Sequence, residues 1–181
     1  MKILIIGAGI AGCCAAIALA QDGHNIRVVE KQDKWRFQSS GIFVYANGLV
    51  CLEKLGLLPA ILAAGFPVPD GRNAYYDHTG APIVQTFYPP AAGGRIPAIL
   101  GIKRAAMHRV MAARVDALRV PVELGTRVID LKDEGDSVRA TFSNGTCASF
   151  DLVIGADGLR SATRQQMGIN VTPRYTGFGV W

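Results

Sequence analysis

The residues best placed to do chemistry are six in a row near the start of the chain, Gly7-Ala8-Gly9-Ile10-Ala11-Gly12. In this G-x-G-x-x-G spacing the first glycine allows a tight turn, the second lets the backbone approach a bound group, and the third permits close packing of a helix on a strand. A helix opening there presents unpaired N–H groups and the positive end of its dipole, which suits the phosphates of a dinucleotide. A carboxylate follows at Glu30, near the place where an acid accepts hydrogen bonds from both hydroxyls of a ribose and repels a 2′-phosphate. Taken alone, the glycines fit a purely structural turn equally, and they do not separate one adenine dinucleotide from another.

These residues need elements to hold them, and the hydropathy pattern supplies candidates. Lys2 to Ile6 is a short β-branched run that reads as a buried strand, Ile10 to Gln21 is Ala-rich and helical, and Asp22-Gly23 ends it. Ile26 to Glu30 is a second apolar strand, so a βαβ unit and a parallel sheet are expected. A helix from Ala46 to Leu55 closes at Gly56, and Asn73 to Asp77 with Ile83 to Tyr88 reads as a hairpin across Thr79-Gly80. Apolar residues at helical spacing run from Ile102 to Leu118. Short strands and turns from Val120 to Phe150 read as an antiparallel meander. Leu152 to Ile154 is another buried strand, followed by a helix from Ser161 to Met167.

That last strand leads into Gly155-Ala156-Asp157-Gly158-Leu159-Arg160-Ser161-Ala162-Thr163-Arg164. With both motifs in order and a meander between them, the chain resembles the class A flavoprotein monooxygenases, the family of p-hydroxybenzoate hydroxylase. The resemblance covers nearly the whole chain. It implies an α/β, Rossmann-like FAD/NAD(P)-binding fold with a parallel sheet and an antiparallel meander. It also implies hydroxylation of a small aromatic substrate, with NADH or NADPH as the electron source, FAD as the cofactor and O2 as the oxidant.

The resemblance assigns cofactor contacts to Gly7, Gly9, Ile10, Ala11, Gly12, Glu30 and Lys31. It adds Asp157 and, in Ile102-Lys103-Arg104-Ala105-Ala106-Met107, Arg104, whose guanidinium can bind phosphate in a bidentate way. Val128 falls where family members hold the adenine through a strand's backbone. Gly41-Ile42-Phe43 corresponds to a loop near the flavin, with Arg36, Gln38 or Ser39 as contacts. Local readings stand beside these: Asp157 as a cap of the following helix, Arg160 and Arg164 as a solvated helix face, Val128 as an ordinary strand residue. No side chain is assigned as a catalytic acid or base.

Family members continue through a substrate-covering sheet and a later Gly-Asp segment. The whole chain, residues 1–181, is therefore expected to be the N-terminal part of an FAD-binding domain, truncated before the substrate domain is complete. Residues 67–100 are a candidate first piece of that covering layer, and Tyr175 to Trp181 a strand heading into it. Three roles stay open for such a chain: a hydroxylase portion working with a complementary polypeptide or by self-association, a non-catalytic dinucleotide-binding module, or an inactive truncated product.

Composition narrows the classes. Half of the 181 residues are hydrophobic and 18% are charged, enough apolar material for a sizeable core. Lys and Arg number 19 against 14 Asp and Glu, but the basic residues are scattered and form no stripe for nucleic acid. Cys13, Cys14, Cys51 and Cys147 show no metal-ligand spacing, so no metal is expected and a reducing compartment is. The apolar start imitates a signal peptide, yet its three glycines argue against a continuous helix, and no run is long enough to span a membrane. A soluble cytoplasmic protein is expected. His24, His78 and His108 form no triad pattern, and Trp35, Tyr75, Tyr76, Tyr88 and Trp181 read as packing or surface aromatics sooner than a pocket.

Overall fold

The computed structural model describes residues 1–38 and 40–178. The chain divides into two units, one of residues 1–36 with 115–181, the other of residues 37–114.

In the first unit β1 (Lys2–Ile6), α1 (Ile10–Gln21) and β2 (Asn25–Glu30) form the expected βαβ, with β1 and β2 parallel in the register Ile3↔Ile26 and Ile5↔Val28. β1 is buried from Ile3 to Ile6 because it is covered on both faces. α1 packs on β1 and β2, and Cys13, Ala16 and Ile17 are its buried side chains along with Gly12. Leu4 and Ile6 instead join Val29, Ala140, Phe142 and Phe150 in a single cluster.

The second unit holds β3 (Gly41–Tyr45), α2 (Ala46–Lys54), α3 (Leu58–Ala64), β4 (Phe66–Val68), β5 (Arg72–Tyr76), β6 (Pro82–Phe87), β7 (Ile99–Lys103) and the start of α4 (Arg104–Ala117). β7 is the centre of an antiparallel sheet of order β3-β7-β4. The expected hairpin forms as β5–β6. Its turn is organised by Asp77, whose Oδ1 accepts from the N–H of Thr79 and of Ala81 and from the Thr79 hydroxyl.

Back in the first unit come β8 (Val122–Leu124), β9 (Val128–Asp133), β10 (Val138–Phe142), β11 (Cys147–Phe150), β12 (Leu152–Gly155) and α5 (Ala162–Gln166). The main sheet has the order β12-β1-β2-β8, with every pairing parallel. β9, β10 and β11 are the antiparallel meander.

Four expectations need correction. Ile102 and Lys103 are not helical: they end β7, which has a strand on each side, and the helix starts at Arg104. Val122–Leu124 is not part of the meander but pairs in parallel with Val28–Glu30. Gly41-Ile42-Phe43 lies in a strand and not in a loop. Tyr175 to Phe178 carries no strand, and the rest of that stretch, Gly179 to Trp181, lies outside the described residues. Among the described residues no helix is long and apolar enough to cross a membrane.

Candidate functional site

Three adjacent parallel strands end at one crevice in the first unit. Gly7 follows β1, Glu30 closes β2 and Ala156 follows β12, at the point where the chain's two directions of crossover diverge from β1. The crevice is a cavity of about 350 Å³, a size that small-molecule sites share.

Its floor is the glycine turn, and each glycine has a distinct steric reason. Gly7 sits at φ +107, and a Cβ on it would lie 2.5 Å from the carbonyl oxygen of Ala156. A Cβ on Gly12 would lie 1.8 Å from the carbonyl oxygen of Gly7, so only glycine lets α1 start this close to the turn. Gly9 differs from both. A Cβ there meets nothing within 4 Å, although Gly9 lines the cavity. Bareness at that position serves no protein packing and leaves room for a bound group to reach the backbone.

Gly9 is also the N-cap of α1, with no side-chain cap and no acidic residue in the first turn. The first intrahelical bond runs from the N–H of Cys13 to the oxygen of Gly9, at 2.9 Å. The N–H groups of Ile10, Ala11 and Gly12 precede it and carry the positive end of the helix dipole. Cys13 adds no negative charge here. Burial, then the neighbouring Cys14 and Glu30, push its thiol up to about 12.

Glu30 holds the opposite wall. Its Oε2 accepts from the N–H of Ala8 at 3.0 Å and its Oε1 from the N–H of Gln32 at 2.9 Å. The carboxylate is thereby tied to the glycine turn and fixed in orientation. Each oxygen keeps a further acceptor position, as a carboxylate offers about four in all.

Asp157 follows β12 and also lines the cavity. Its carboxylate accepts from the Ser161 hydroxyl, and from the N–H and hydroxyl of Thr163 at 3.0 and 3.1 Å. Ser161 itself caps α5, accepting from the N–H of Arg164 at 2.9 Å. Burial pushes the Asp157 carboxyl upward, but those hydrogen bonds together outweigh it and hold the group below its ordinary 3.8. Ser161, not Asp157, is thus the N-cap of α5, while Asp157 braces that cap and its first turn and stands on the cavity wall.

Of the sequence-assigned residues, Gly7, Gly9, Glu30, Lys31, Val128 and Asp157 line this one cavity. Ile10, Ala11 and Gly12 form the adjoining first turn of α1. Arg104 belongs to the other unit, where it begins α4 and donates to Gln38 Oε1 at 2.7 Å. Ser39 lies outside the described residues. Sequence reasoning passed over Thr126 and Arg127, which line the cavity beside Val128, and took Arg160 only as a helix face. The signal for the first two was Gly125, a left-handed turn residue at φ +70 directly after β8. Lys31, Arg127 and Arg160 set three cations on the lining against the carboxylates of Glu30 and Asp157. An anion entering the crevice meets a balance of charge in its favour.

Comparison with known proteins agrees with this geometry. The chain is 34% identical, over 99% of its length, to the 3-amino-4-hydroxybenzoate 2-monooxygenase of Streptomyces cremeus, 45% of which is matched. Among solved structures it resembles a variant of 2-methyl-3-hydroxypyridine-5-carboxylic acid oxygenase, with a TM-score of 0.78 and 29% identity, over 92% of this chain and 42% of that one. It also resembles a variant of Klebsiella pneumoniae HpxO complexed with FAD, with a TM-score of 0.76 and 33% identity, over 91% of this chain and 41% of the other. The chain spans less than half the length of each of these relatives. Residues 1–180 match the FAD binding domain as a family, and with the glycine turn and its facing carboxylate in place the chain belongs to that family.

Proposed function

We propose that this chain is the FAD-binding portion of an NAD(P)H-dependent flavoprotein monooxygenase that hydroxylates a small aromatic molecule. The observation that carries the reading is the empty Cβ position of Gly9 inside the crevice, beside an uncapped helix N-terminus and across from an oriented carboxylate. These features fit an adenine dinucleotide: the N–H groups of Ile10, Ala11 and Gly12 would hold its diphosphate, and the Glu30 carboxylate its ribose. The backbone of Val128 would meet the adenine, with Lys31 and Asp157 on the remaining wall.

Bound there, FAD supplies the electron transfer and oxygen activation that no side chain can perform. The chain's own residues bind and orient. Glu30 is held by two backbone donors before any ligand arrives, so little ordering remains for binding to cost.

Residues 67–100 are proposed as the first piece of a substrate-covering layer. Every residue of β6 is exposed, including Ile83, Val84 and Phe87, and a two-stranded ribbon of this kind needs cover to be stable. A complementary polypeptide or a second copy is proposed to provide it, and turnover to depend on it. The tetrameric form of 2-methyl-3-hydroxypyridine-5-carboxylic acid oxygenase, whose structure has a TM-score of 0.77 to this chain, is a precedent for self-association. A cytoplasmic location belongs to the same reading, in keeping with four cysteines that are present as thiols.

The test is an absorbance titration of the purified protein with FAD, followed by desalting. The expected result is a flavin spectrum shifted from that of free FAD and retained with the protein. Complete loss of flavin on desalting, together with no heat of binding by calorimetry, would reject the reading.

A further inference from the structure

Among the described residues three polar side chains are buried: Thr126 at 9% exposure, Ser161 at 8% and Thr163 at 5%. Ser161 and Thr163 both commit their hydroxyls to the Asp157 carboxylate. Thr126 is different. It lines the crevice, and among the described residues its hydroxyl has no hydrogen-bond partner. A buried hydroxyl that no protein group satisfies weakens the fold, and what Thr126 borders is the crevice.

The backbone around that hydroxyl is fastened on both sides. The N–H of Gly125 donates to the oxygen of Gln32 at 2.7 Å and the N–H of Thr126 to the oxygen of Glu30 at 2.9 Å. Beyond it, the N–H of Arg127 donates to Ser143 Oγ at 3.0 Å, and the N–H of Ser143 to the oxygen of Arg127 at 2.8 Å. A β-branched side chain on a backbone held this way has few rotamers to choose from. The hydroxyl therefore needs little ordering to receive a ligand.

Strand order says which part of a ligand it meets. In the sheet β12-β1-β2-β8 the glycine turn follows β1, Glu30 ends β2, and Thr126 is the second residue after β8. Neighbouring strands lie about 4.8 Å apart, so these three points are successive steps across the crevice. A dinucleotide with its diphosphate on the first turn of α1 and its ribose at Glu30 brings its next group, the base, to Thr126. Glu30 keeps acceptor positions for the hydroxyls of the sugar. Adenine, on the edge beside the sugar, carries a ring nitrogen that accepts, and a hydroxyl can donate to it. We propose that Thr126 is a cofactor contact whose hydroxyl donates to the adenine ring nitrogen nearest the sugar. The identity of the ligand rests on the FAD reading above; the unpartnered hydroxyl in the crevice wall does not.

The experiment is calorimetric titration of the whole chain with ADP and with 3-deaza-ADP, in which a C–H replaces that nitrogen. Thermal denaturation without ligand and FAD retention are measured on the same samples. The wild type is expected to bind ADP about fivefold more tightly than 3-deaza-ADP. Thr126→Val is expected to bind both nucleotides equally, about fivefold more weakly than the wild type binds ADP. It is also expected to melt at or above the wild type, because it removes a buried hydroxyl that had no protein partner. A hydroxyl that served the fold would give the opposite sign. Thr126→Ser, which keeps the hydroxyl, is expected to keep the preference for ADP. The contact is overturned by equal wild-type affinities for the two nucleotides, by no binding of ADP, or by a Thr126→Val protein that keeps the preference or melts well below the wild type. The expected pattern with ADP, in a protein that does not retain FAD, would uphold the contact and reject the monooxygenase reading instead.

Discussion

Gly9→Ala separates binding from folding, because the structure gives a small effect on stability and a large one on binding. Gly9 has φ −74 and ψ −173, a conformation that alanine adopts without strain, and its added Cβ meets no atom within 4 Å. Replacing glycine there removes freedom from the unfolded chain, a gain of about 0.4–1 kcal/mol, but alanine is a poorer N-cap than glycine and gives up about as much. For a chain of this size Tm is therefore expected to stay within roughly 4 °C of the wild type. The same methyl group would occupy the space proposed for the diphosphate at the first turn of α1, so FAD affinity is expected to fall by at least about tenfold, or ~1.4 kcal/mol. Gly12→Ala is the steric control. Its Cβ would lie 1.8 Å from the Gly7 oxygen, a backbone atom that cannot rotate away. Overpacking of that kind costs about 1–3 kcal/mol, and lowers Tm by roughly 2–12 °C. The assays are thermal denaturation without flavin and FAD titration by quenching of flavin fluorescence. If Gly9→Ala binds FAD as tightly as the wild type, the diphosphate does not approach Gly9. If it melts well below the wild type, the open space at its Cβ has been misjudged.

Two further substitutions probe the walls. Glu30→Ala removes a carboxylate that holds the N–H of Ala8 and of Gln32, and FAD binding is expected to weaken by about 1–3 kcal/mol; an unchanged affinity by calorimetry would remove Glu30 from the ribose site. Asp157→Asn should make stability less dependent on pH. The folded-state pKa of Asp157 lies below its ordinary 3.8, so its contribution is fully present above that value and is lost as pH falls through the folded-state value. Urea denaturation of both proteins between about pH 6 and pH 3 should show the gap between them narrowing toward the acid end, whereas a constant gap would mean that the hydrogen bonds of Asp157 do not favour its charged form.

What could be read from the sequence was what depends on near neighbours in the chain. The bounds of α1, Ile10–Gln21, follow from an Ala-rich run between Gly9 and Asp22-Gly23, and the structure places them there. The turn of the hairpin is set by Asp77, whose acceptors reach no farther than Thr79, Gly80 and Ala81. The errors fall where pairing is distant. Ile99–Lys103 lies between Gly41–Tyr45 on one side and Phe66–Val68 on the other. Ile102 and Lys103 themselves pair with Ile42 and Gly41 of the first of these, and that pairing decides for strand over the helical spacing that begins at Ile102. Neither partner is assigned from the sequence, since family resemblance puts Gly41-Ile42-Phe43 in a loop and Phe66-Pro67-Val68 carries a proline.

The case of Val122–Leu124 shows how a misread strand hides a functional wall. A short strand such as Val122-Glu123-Leu124 just before a meander looks like its first strand, and only the register Val28↔Val122 reveals membership of the parallel sheet. Once β8 is the fourth parallel strand, its C-terminal end must open on the same side as those of β1 and β2, and the residues after it must border the crevice. Gly125 turns the chain there, its N–H bound to the oxygen of Gln32 at 2.7 Å, while the N–H of Thr126 bonds to the oxygen of Glu30 at 2.9 Å. Thr126, Arg127 and Val128 are thereby fastened to the end of β2, beside the carboxylate that faces the glycine turn. Family resemblance singled out Val128 alone. Sheet topology brings Val128 to the crevice and adds Thr126 and Arg127, the two residues before it.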